Sequence, residues 1–256
     1  MTPRPYAGTR AHRNSVAAEA LRKTIWGVPG GHPHVALLPD DDGPDDLNID
    51  RATGWRDHLK RGIDIVGAIA LIIVSLPLLV VLAIAIKLHS PGSVLFAHRR
   101  LGRNGKHFDC LKFRSMCEEA ERLLQSDEQL RHDYVSNHFK IPTDADPRIT
   151  KLGRFLRKSS LDELPQLFNV VRGDMSLVGP RPIVPLEATH YGERLPALLS
   201  VRPGLTGPWA VQGRSRVGYP ERANMELSYV SSWTFRNDLR ILARTPWAVV
   251  TQRGAL

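Results

Sequence analysis

Ile65-Val66-Gly67-Ala68-Ile69-Ala70-Leu71-Ile72-Ile73-Val74-Ser75-Leu76-Pro77-Leu78-Leu79-Val80-Val81-Leu82-Ala83-Ile84-Ala85-Ile86 runs for 22 positions without a charged residue. That length meets the requirement for a helix inside a bilayer. A core helix of a soluble protein is a poor fit, because this one would be apolar all round for about six turns. Pro77 sits in the middle of the run with Ser75 just before it. Proline there removes a helical hydrogen bond and bends the axis, and a serine hydroxyl can satisfy backbone groups freed at a bend. The flanks are basic on both sides, with Lys60-Arg61 before and Lys87 and His89 after. A spanning helix should carry unequal charge at its two ends. A helix that enters and leaves on one face would want cations at both, to meet anionic headgroups. The residues alone leave both an ordinary kinked span and a re-entrant helix open.

Around this run the 256-residue chain is long enough for one good domain plus extras, and its apolar share of 42% is ordinary for a folded protein. The net charge of +9 points to an anionic partner: nucleic acid, lipid headgroups or a phosphorylated substrate. A nucleic-acid-binding protein would account for the charge but not for the uncharged helix. Residues 1–56 hold seven Lys/Arg and seven Asp/Glu, so the whole excess lies beyond them. This first segment has an acidic run at Asp40-Asp41-Asp42 and no sustained apolar period. It reads as a disordered tail with at most a short helix near residues 15–25, and its His32 and His34 read as solvated loop residues. No apolar core follows its early arginines, so it does not read as a secretory signal. Cys110 and Cys117 are too few for a disulfide framework or a zinc site and suit a reduced, cytosol-facing setting.

Beyond Ser90-Pro91-Gly92-Ser93 the pattern becomes mixed. Val94-Leu95-Phe96 reads as a short strand, and Arg99 to Lys106 as a basic hairpin turning at Asn104-Gly105. Residues 108–114 alternate like a half-buried strand. Residues 117–138 are polar and helix-forming. Residues 184–200 and about 220–250 also read as helical. Between them lies Ser159-Ser160-Leu161-Asp162-Glu163-Leu164-Pro165-Gln166-Leu167-Phe168, two adjacent carboxylates inside a basic neighbourhood that includes Arg148, Arg157 and Arg172. Ser160 and Glu163 match a capping box, which would start a helix there. Pro165 would then clash with the carbonyl four residues back, so a helix starting at Asp162 or Glu163 is the more comfortable reading. Either start places both acids at its positive end. Leu164, Leu167, Phe168 and Val171 would then face the core, and Arg172-Gly173 would end the helix. The same acids among cations suit phosphate chemistry with a divalent metal. Arg181, between Pro180 and Pro182, presents a guanidinium on a stiff loop, which favours bidentate phosphate binding. Arg214 follows a glycine and invites the same reading. Lys112 could be an edge-strand lysine, and Asp238 a surface helix residue.

From about Lys60 to Val250 the sequence resembles the bacterial sugar transferases, the monotopic polyprenyl-phosphate phosphoglycosyl transferases. The resemblance rests on the basic-flanked helix with Pro77, on Ile86 to Val94, on Lys112-Phe113-Arg114-Ser115-Met116 and on Asp146-Pro147-Arg148-Ile149-Thr150. It continues through Leu161-Asp162-Glu163-Leu164-Pro165-Gln166, Gly173 to Pro182, and Val201 to Gly207. It implies transfer of a sugar 1-phosphate from a nucleotide diphosphate sugar, usually a UDP-sugar, onto undecaprenyl phosphate. It also implies that the helix breaks at Ser75–Pro77 and re-enters, that Asp162 is the nucleophile of a phosphosugar-aspartyl intermediate, and that Glu163 helps hold Mg²⁺. Lys112, Arg181 and Asp238 match positions tied to activity, and Arg214 a phosphate-contacting one. His98, Ala210 and Glu226 depart from the family's usual residues and bear on sugar recognition rather than on reaction type.

The expectation is therefore an α/β, predominantly helical protein. Residues 1–56 would be a disordered tail, 57–90 a re-entrant membrane helix, and 91–256 a small cytoplasmic catalytic domain with interfacial amphipathic helices. The expected activity is phosphosugar transfer that initiates an exopolysaccharide or glycoconjugate at the bacterial inner membrane, on its cytoplasmic face. Asp162, Glu163, Lys112 and Asp238 are the expected catalytic residues, and Arg181, Arg214, Arg157 and Arg148 the phosphate and substrate contacts. Partners are the nucleotide-sugar donor, the polyprenyl phosphate acceptor and the membrane, with no nucleic acid; homo-oligomerisation is left open. A non-catalytic scaffold of a glycan assembly complex is the alternative, and it would predict an eroded Asp-Glu pair.

Overall fold

The computed structural model describes residues 54–136, 141–213 and 217–251, all within one unit, Leu47–Leu256. The acidic tail, the 15–25 helix, His32, His34 and Arg214 lie outside the described residues. Helix α1, Trp55–His89, is 35 residues long and passes through Pro77 without interruption. The helix-break-helix geometry expected at Ser75–Pro77 is not seen, since the helix continues through both residues. The Ser75 hydroxyl donates to the Leu71 carbonyl at 2.6 Å, one turn back. It does not reach the Ile73 carbonyl, whose usual donor Pro77 lacks. A serine bonded in this way still favours helix bending.

After α1 come strands β1, Leu95–Leu101, and β2, His107–Phe113, paired antiparallel from Leu95 opposite Phe113 to Leu101 opposite His107. Asn104 and Gly105 both take positive φ in the connection, as the Asn-Gly signal predicts. The polar stretch that follows splits into α2, Ala120–Ser126, and α3, Glu128–Ser136. Helix α4, Lys151–Ser159, is capped by the Thr150 hydroxyl, which accepts from the Gly153 amide. A 3-10 turn, Leu161–Glu163, separates it from α5, Gln166–Arg172, which Gly173 closes at φ 103°.

A second, parallel pair joins β3, Ser176–Val178, to β4, Gly204–Thr206. Between them lie 3-10 turns and the short helix α6, Leu195–Leu199, rather than the continuous helix expected over 184–200. Helices α7, Pro208–Gln212, α8, Glu221–Ser231, and α9, Phe235–Val250, complete the described chain. The result is mostly helical with two small sheets.

One stripe of α1 faces the rest of the protein. Asp64, Ala68, Leu79, Leu82 and Ile86 are buried, at helical spacing of three, four or whole turns. Ala68 and Ile72 join the core of Cys110, Leu167, Val170, Met175 and Val178. Leu79, Leu82 and Ile86 join a second core with Phe113, Leu156, Leu161 and Leu164. The other faces leave Val66, Ile73, Val74, Leu76, Val81 and Ile84 exposed, an apolar surface of the kind that marks a membrane or partner contact. The helix is the one described segment long and apolar enough to cross a membrane.

The basic flank before the apolar run turns inward. Lys60 pairs with Asp238 at 2.7 Å, and Arg61 donates to the Val170 and Val171 carbonyls at 2.6 and 2.9 Å, capping the C-terminus of α5. Asp64 accepts from the Leu177 amide at 3.0 Å. These residues fasten α1 to the domain rather than meeting lipid headgroups.

Candidate active site

The turn that carries the two acids is set by what precedes it. Ser160 takes φ 58° and ends α4 instead of starting a new helix, and its side chain caps nothing. The capping box read from Ser160 and Glu163 is therefore not formed. Pro165 accounts for this, since a helix begun at Leu161 would put its ring against the carbonyl four residues back. The chain makes one 3-10 turn and starts α5 after the proline. Within α5 the buried residues are Gln166, Leu167, Asn169 and Val170, whereas Phe168, expected inside, is exposed.

Glu163 is freed from capping to reach across to β2, where its Oε1 accepts from Lys112 Nζ at 2.6 Å. Lys112 is not a solvated edge lysine but half of an ion pair that is about three-quarters buried on each side. Asp162 is 7% exposed. Burial raises its carboxyl to about 6, against the pull of the Lys112 ammonium, while Glu163 adds to the rise and Arg157 opposes it. Leu161 and Leu164, on either side of the acids, pack into the core formed with Leu79, Leu82 and Ile86 of α1. The dyad turn thus lies directly against the second half of the apolar helix.

On its other side, Glu163 and Lys112 line an open cleft with Arg100, Cys110, Gln166, Arg181 and Trp209. Arg181 lies over the Trp209 ring at 5.1 Å. Burial works against its charge, and Glu187, Glu163 and Glu226 hold it protonated. Its loop is locked to the chain after α6, with Gly204 N–H donating to the Pro180 carbonyl at 2.7 Å and Gly179 N–H to Thr206 at 2.9 Å. Glu226, fully buried, accepts from the Arg181 amide at 3.3 Å and from the Tyr191 hydroxyl.

Arg100 was not singled out in the sequence, yet it lines the cleft, donating to the Pro182 carbonyl at 3.2 Å and to His98 Nδ1 at 3.1 Å. Counting outward from Asn104 would have found it. Residues equidistant from that position pair across the hairpin, so Arg100 shares a face with Cys110 and Lys112. Asn169 also gave no signal. Its side chain accepts from the Leu111 amide at 2.9 Å and donates to the Asp109 carbonyl at 2.8 Å, holding β2, and hence Lys112, against α5.

The remaining candidates separate. Arg157 faces Asp162 electrostatically and donates to the Ser115 hydroxyl at 2.8 Å. Arg148 forms a buried two-pronged pair with Asp146, at 2.9 Å for each prong, and lies over Tyr134, so its donors support the fold around the site. Asp238 accepts from Lys60, Tyr229 at 2.7 Å and Trp233 at 3.0 Å. That network shares no residue with the cleft lining and sits at the base of α1.

Asp162 and Glu163 have no third His, Cys, Asp or Glu beside them that would complete a protein cage for a metal among the described residues. One or two carboxylates completed by substrate phosphates is the donor set magnesium takes. The residues fit Mg²⁺ in that sense.

Residues 55–252 match the family described as bacterial sugar transferase, and the chain belongs to that family. An uncharacterized sugar transferase of Haemophilus influenzae is 48% identical over 202 residues, covering 77% of this chain and 42% of that protein. The undecaprenyl-phosphate galactose phosphotransferase of Salmonella typhimurium is 45% identical, covering 77% and 41%. The exopolysaccharide production protein ExoY of Rhizobium meliloti is 41% identical over 197 residues, covering 77% and 87%. The match thus spans about two fifths of the first two relatives and most of the third.

Proposed function

We propose that this protein transfers a sugar 1-phosphate from a UDP-sugar to a polyprenyl phosphate at the cytoplasmic face of the bacterial inner membrane, initiating an exopolysaccharide or related glycan. The observation that carries it is the position of the Asp162–Glu163 turn, between a cleft lined by Arg100, Lys112 and Arg181 and the apolar helix α1. Phosphoryl chemistry needs cations at the first, and a lipid acceptor needs the second. The names of the relatives from Salmonella typhimurium and Rhizobium meliloti point the same way.

In this reaction a carboxylate oxygen of Asp162 attacks the sugar-bearing phosphorus. The bond from that phosphorus to the bridging oxygen breaks, and UMP leaves with the electron pair. An oxygen of the acceptor phosphate then attacks the same phosphorus and releases the Asp162 carboxylate. An anion attacking a diphosphate is repelled unless positive charge sits on the non-bridging oxygens. Lys112, Arg100 and Arg181 supply it. Magnesium, held by Glu163 with the substrate's own phosphates, would supply the rest. Lys112 also holds Glu163 in place, and Arg157 favours the charged form of Asp162.

The helix α1 is read as re-entrant. Its two halves pack into cores of one domain, through Ala68 at one end and Leu79, Leu82 and Ile86 at the other. A helix crossing the bilayer could touch a domain on one side through only one of its ends. Helix α9 adds exposed Leu239, Trp247 and Val250 beside exposed Arg236, Arg240 and Arg244, the pattern of a helix lying at a lipid surface. A non-catalytic scaffold would not need an intact acid pair or its Lys112 partner. The test is UMP release from UDP-galactose, UDP-glucose and UDP-N-acetyl sugars with undecaprenyl phosphate, Mg²⁺ and detergent. One of these donors should give UMP and a lipid-linked product, and Asp162→Asn should abolish both. Near-full turnover by Asp162→Asn would remove the nucleophile assignment.

A further inference from the structure

We propose that Phe96 is the first apolar contact for the isoprenoid chain of the lipid acceptor, where that chain leaves the phosphate cleft. The inference rests on the proposed reaction and deepens it. In the hairpin, side chains alternate between faces, and residues directly opposite share one. Arg100 stands opposite Phe108, His98 opposite Cys110, and Phe96 opposite Lys112. Arg100, Cys110 and Lys112 line the cleft, so Phe96 stands on the cleft face as well, at its outer end.

Polarity falls along this face in one direction. Arg100 is buried and cationic, His98 is half-buried and in contact with both Arg100 and the Phe96 ring, and Phe96 is 49% exposed. Phe96 lies beside Lys112, with backbones about 5 Å apart.

Beyond Phe96 the hairpin is tied to the apolar helix. Arg114 donates to the carbonyl and the hydroxyl of Ser90, just past the end of α1, at 2.8 Å each. Val94 packs with Leu82 and Ile86 of α1. The face therefore leads from the cations, past one exposed ring, to the membrane helix. A molecule with an anionic head and an apolar tail matches that order of surfaces. A nucleotide sugar is polar over most of its length and offers only its base to such a ring.

The experiment uses the full chain in nanodiscs and compares wild type with Phe96→Ala and Phe96→Leu. Two quantities are read: KM for undecaprenyl phosphate at saturating donor, and KM for the UDP-sugar in exchange of labelled UMP into UDP-sugar without acceptor. Phe96→Ala should raise the acceptor KM about tenfold, as expected for losing the better part of one buried aromatic contact. Phe96→Leu should restore most of it, and the donor KM should stay within about twofold of wild type. An unchanged acceptor KM overturns the proposal, including the case in which Phe96→Ala only weakens flotation with vesicles and the ring is a plain membrane anchor. A donor KM that rises in step assigns the ring to the nucleobase and overturns it too. Failure of wild type to exchange UMP or to form lipid-linked product would instead remove the reaction on which the inference rests.

Discussion

At the scale of single residues, Asp162 shows what the site asks of the fold. Its carboxyl is raised by burial to about 6 in the folded chain, above the unfolded value of about 3.9. The folded protein therefore holds this proton more tightly. The favourable contribution is complete below the unfolded value and is lost as pH rises through about 6. At neutral pH the ionised acid destabilises the protein in the absence of metal and substrate. Asp162→Asn should raise thermal stability at pH 7.5 in EDTA, by at most about 3 kcal/mol. The difference from wild type should shrink on going to pH 5 and vanish near pH 4, which melting curves across that range would check. A variant that loses turnover while gaining stability separates a functional acid from a structural one. The sequence made this acid and Glu163 legible as a pair at a helix start, by a capping box from Ser160 or by a helix beginning at Asp162 or Glu163. Ser160 in a left-handed conformation and Pro165 after the turn decided otherwise. Arg148 was expected among the phosphate and substrate contacts with Arg181, and Asp238 among the catalytic residues. Only their partners, Asp146 for one and Lys60, Tyr229 and Trp233 for the other, distinguish them.

At the scale of elements, the glycines of the two proline-bearing loops explain how a cleft is held open without a large sheet. A Cβ on Gly204 would meet the Gly179 amide nitrogen and the Thr206 carbonyl inside contact distance, and Gly179 and Gly207 are similarly crowded by backbone. The loops touch main chain to main chain, and no flexible side chain is there to give way. Gly204→Ala should destabilise the protein by about 3 kcal/mol or more, visible as a fall in melting temperature and loss of UMP release together. The hairpin turn was legible from Asn104-Gly105 because few residue pairs accept two positive φ angles in succession. The parallel pair of β3 and β4 was not. Each strand has three residues, and their pairing depends on contacts made across 25 or more positions of chain. Local periodicity carries no signal for that.

At the scale of the whole molecule, the proposed re-entry of α1 decides which side of the membrane the proposed chemistry would occupy. The helix would reach about 52 Å if straight, well beyond the thickness of a bilayer's hydrocarbon core. Its buried stripe commits both halves to one domain. In a Cys117→Ser background, whose remaining Cys110 is buried, cysteines introduced one at a time at Gly54 and Ser93 should both react with an impermeant thiol reagent from the cytoplasmic side only. Labelling from opposite sides would make α1 a span and would be incompatible with its packing. The apolar run and the basic flanks were plain in the sequence. The flanks were assigned to headgroups because nothing local reveals that Lys60 and Arg61 have partners more than 100 residues away. Lys60 and Arg61 therefore hold α1 to the domain, a role that the charge pattern alone did not suggest.

The central claim is that Asp162 forms a covalent bond to the sugar phosphate beside the membrane helix. The most direct test incubates the protein with its UDP-sugar and Mg²⁺ in the absence of lipid acceptor, quenches it, and measures intact and peptide masses. The prediction is a sugar-phosphate adduct on the peptide containing Asp162, absent from Asp162→Asn and discharged when undecaprenyl phosphate is added. Lipid-linked product formed at full rate with no adduct at any time, and with Asp162→Asn still active, would contradict it.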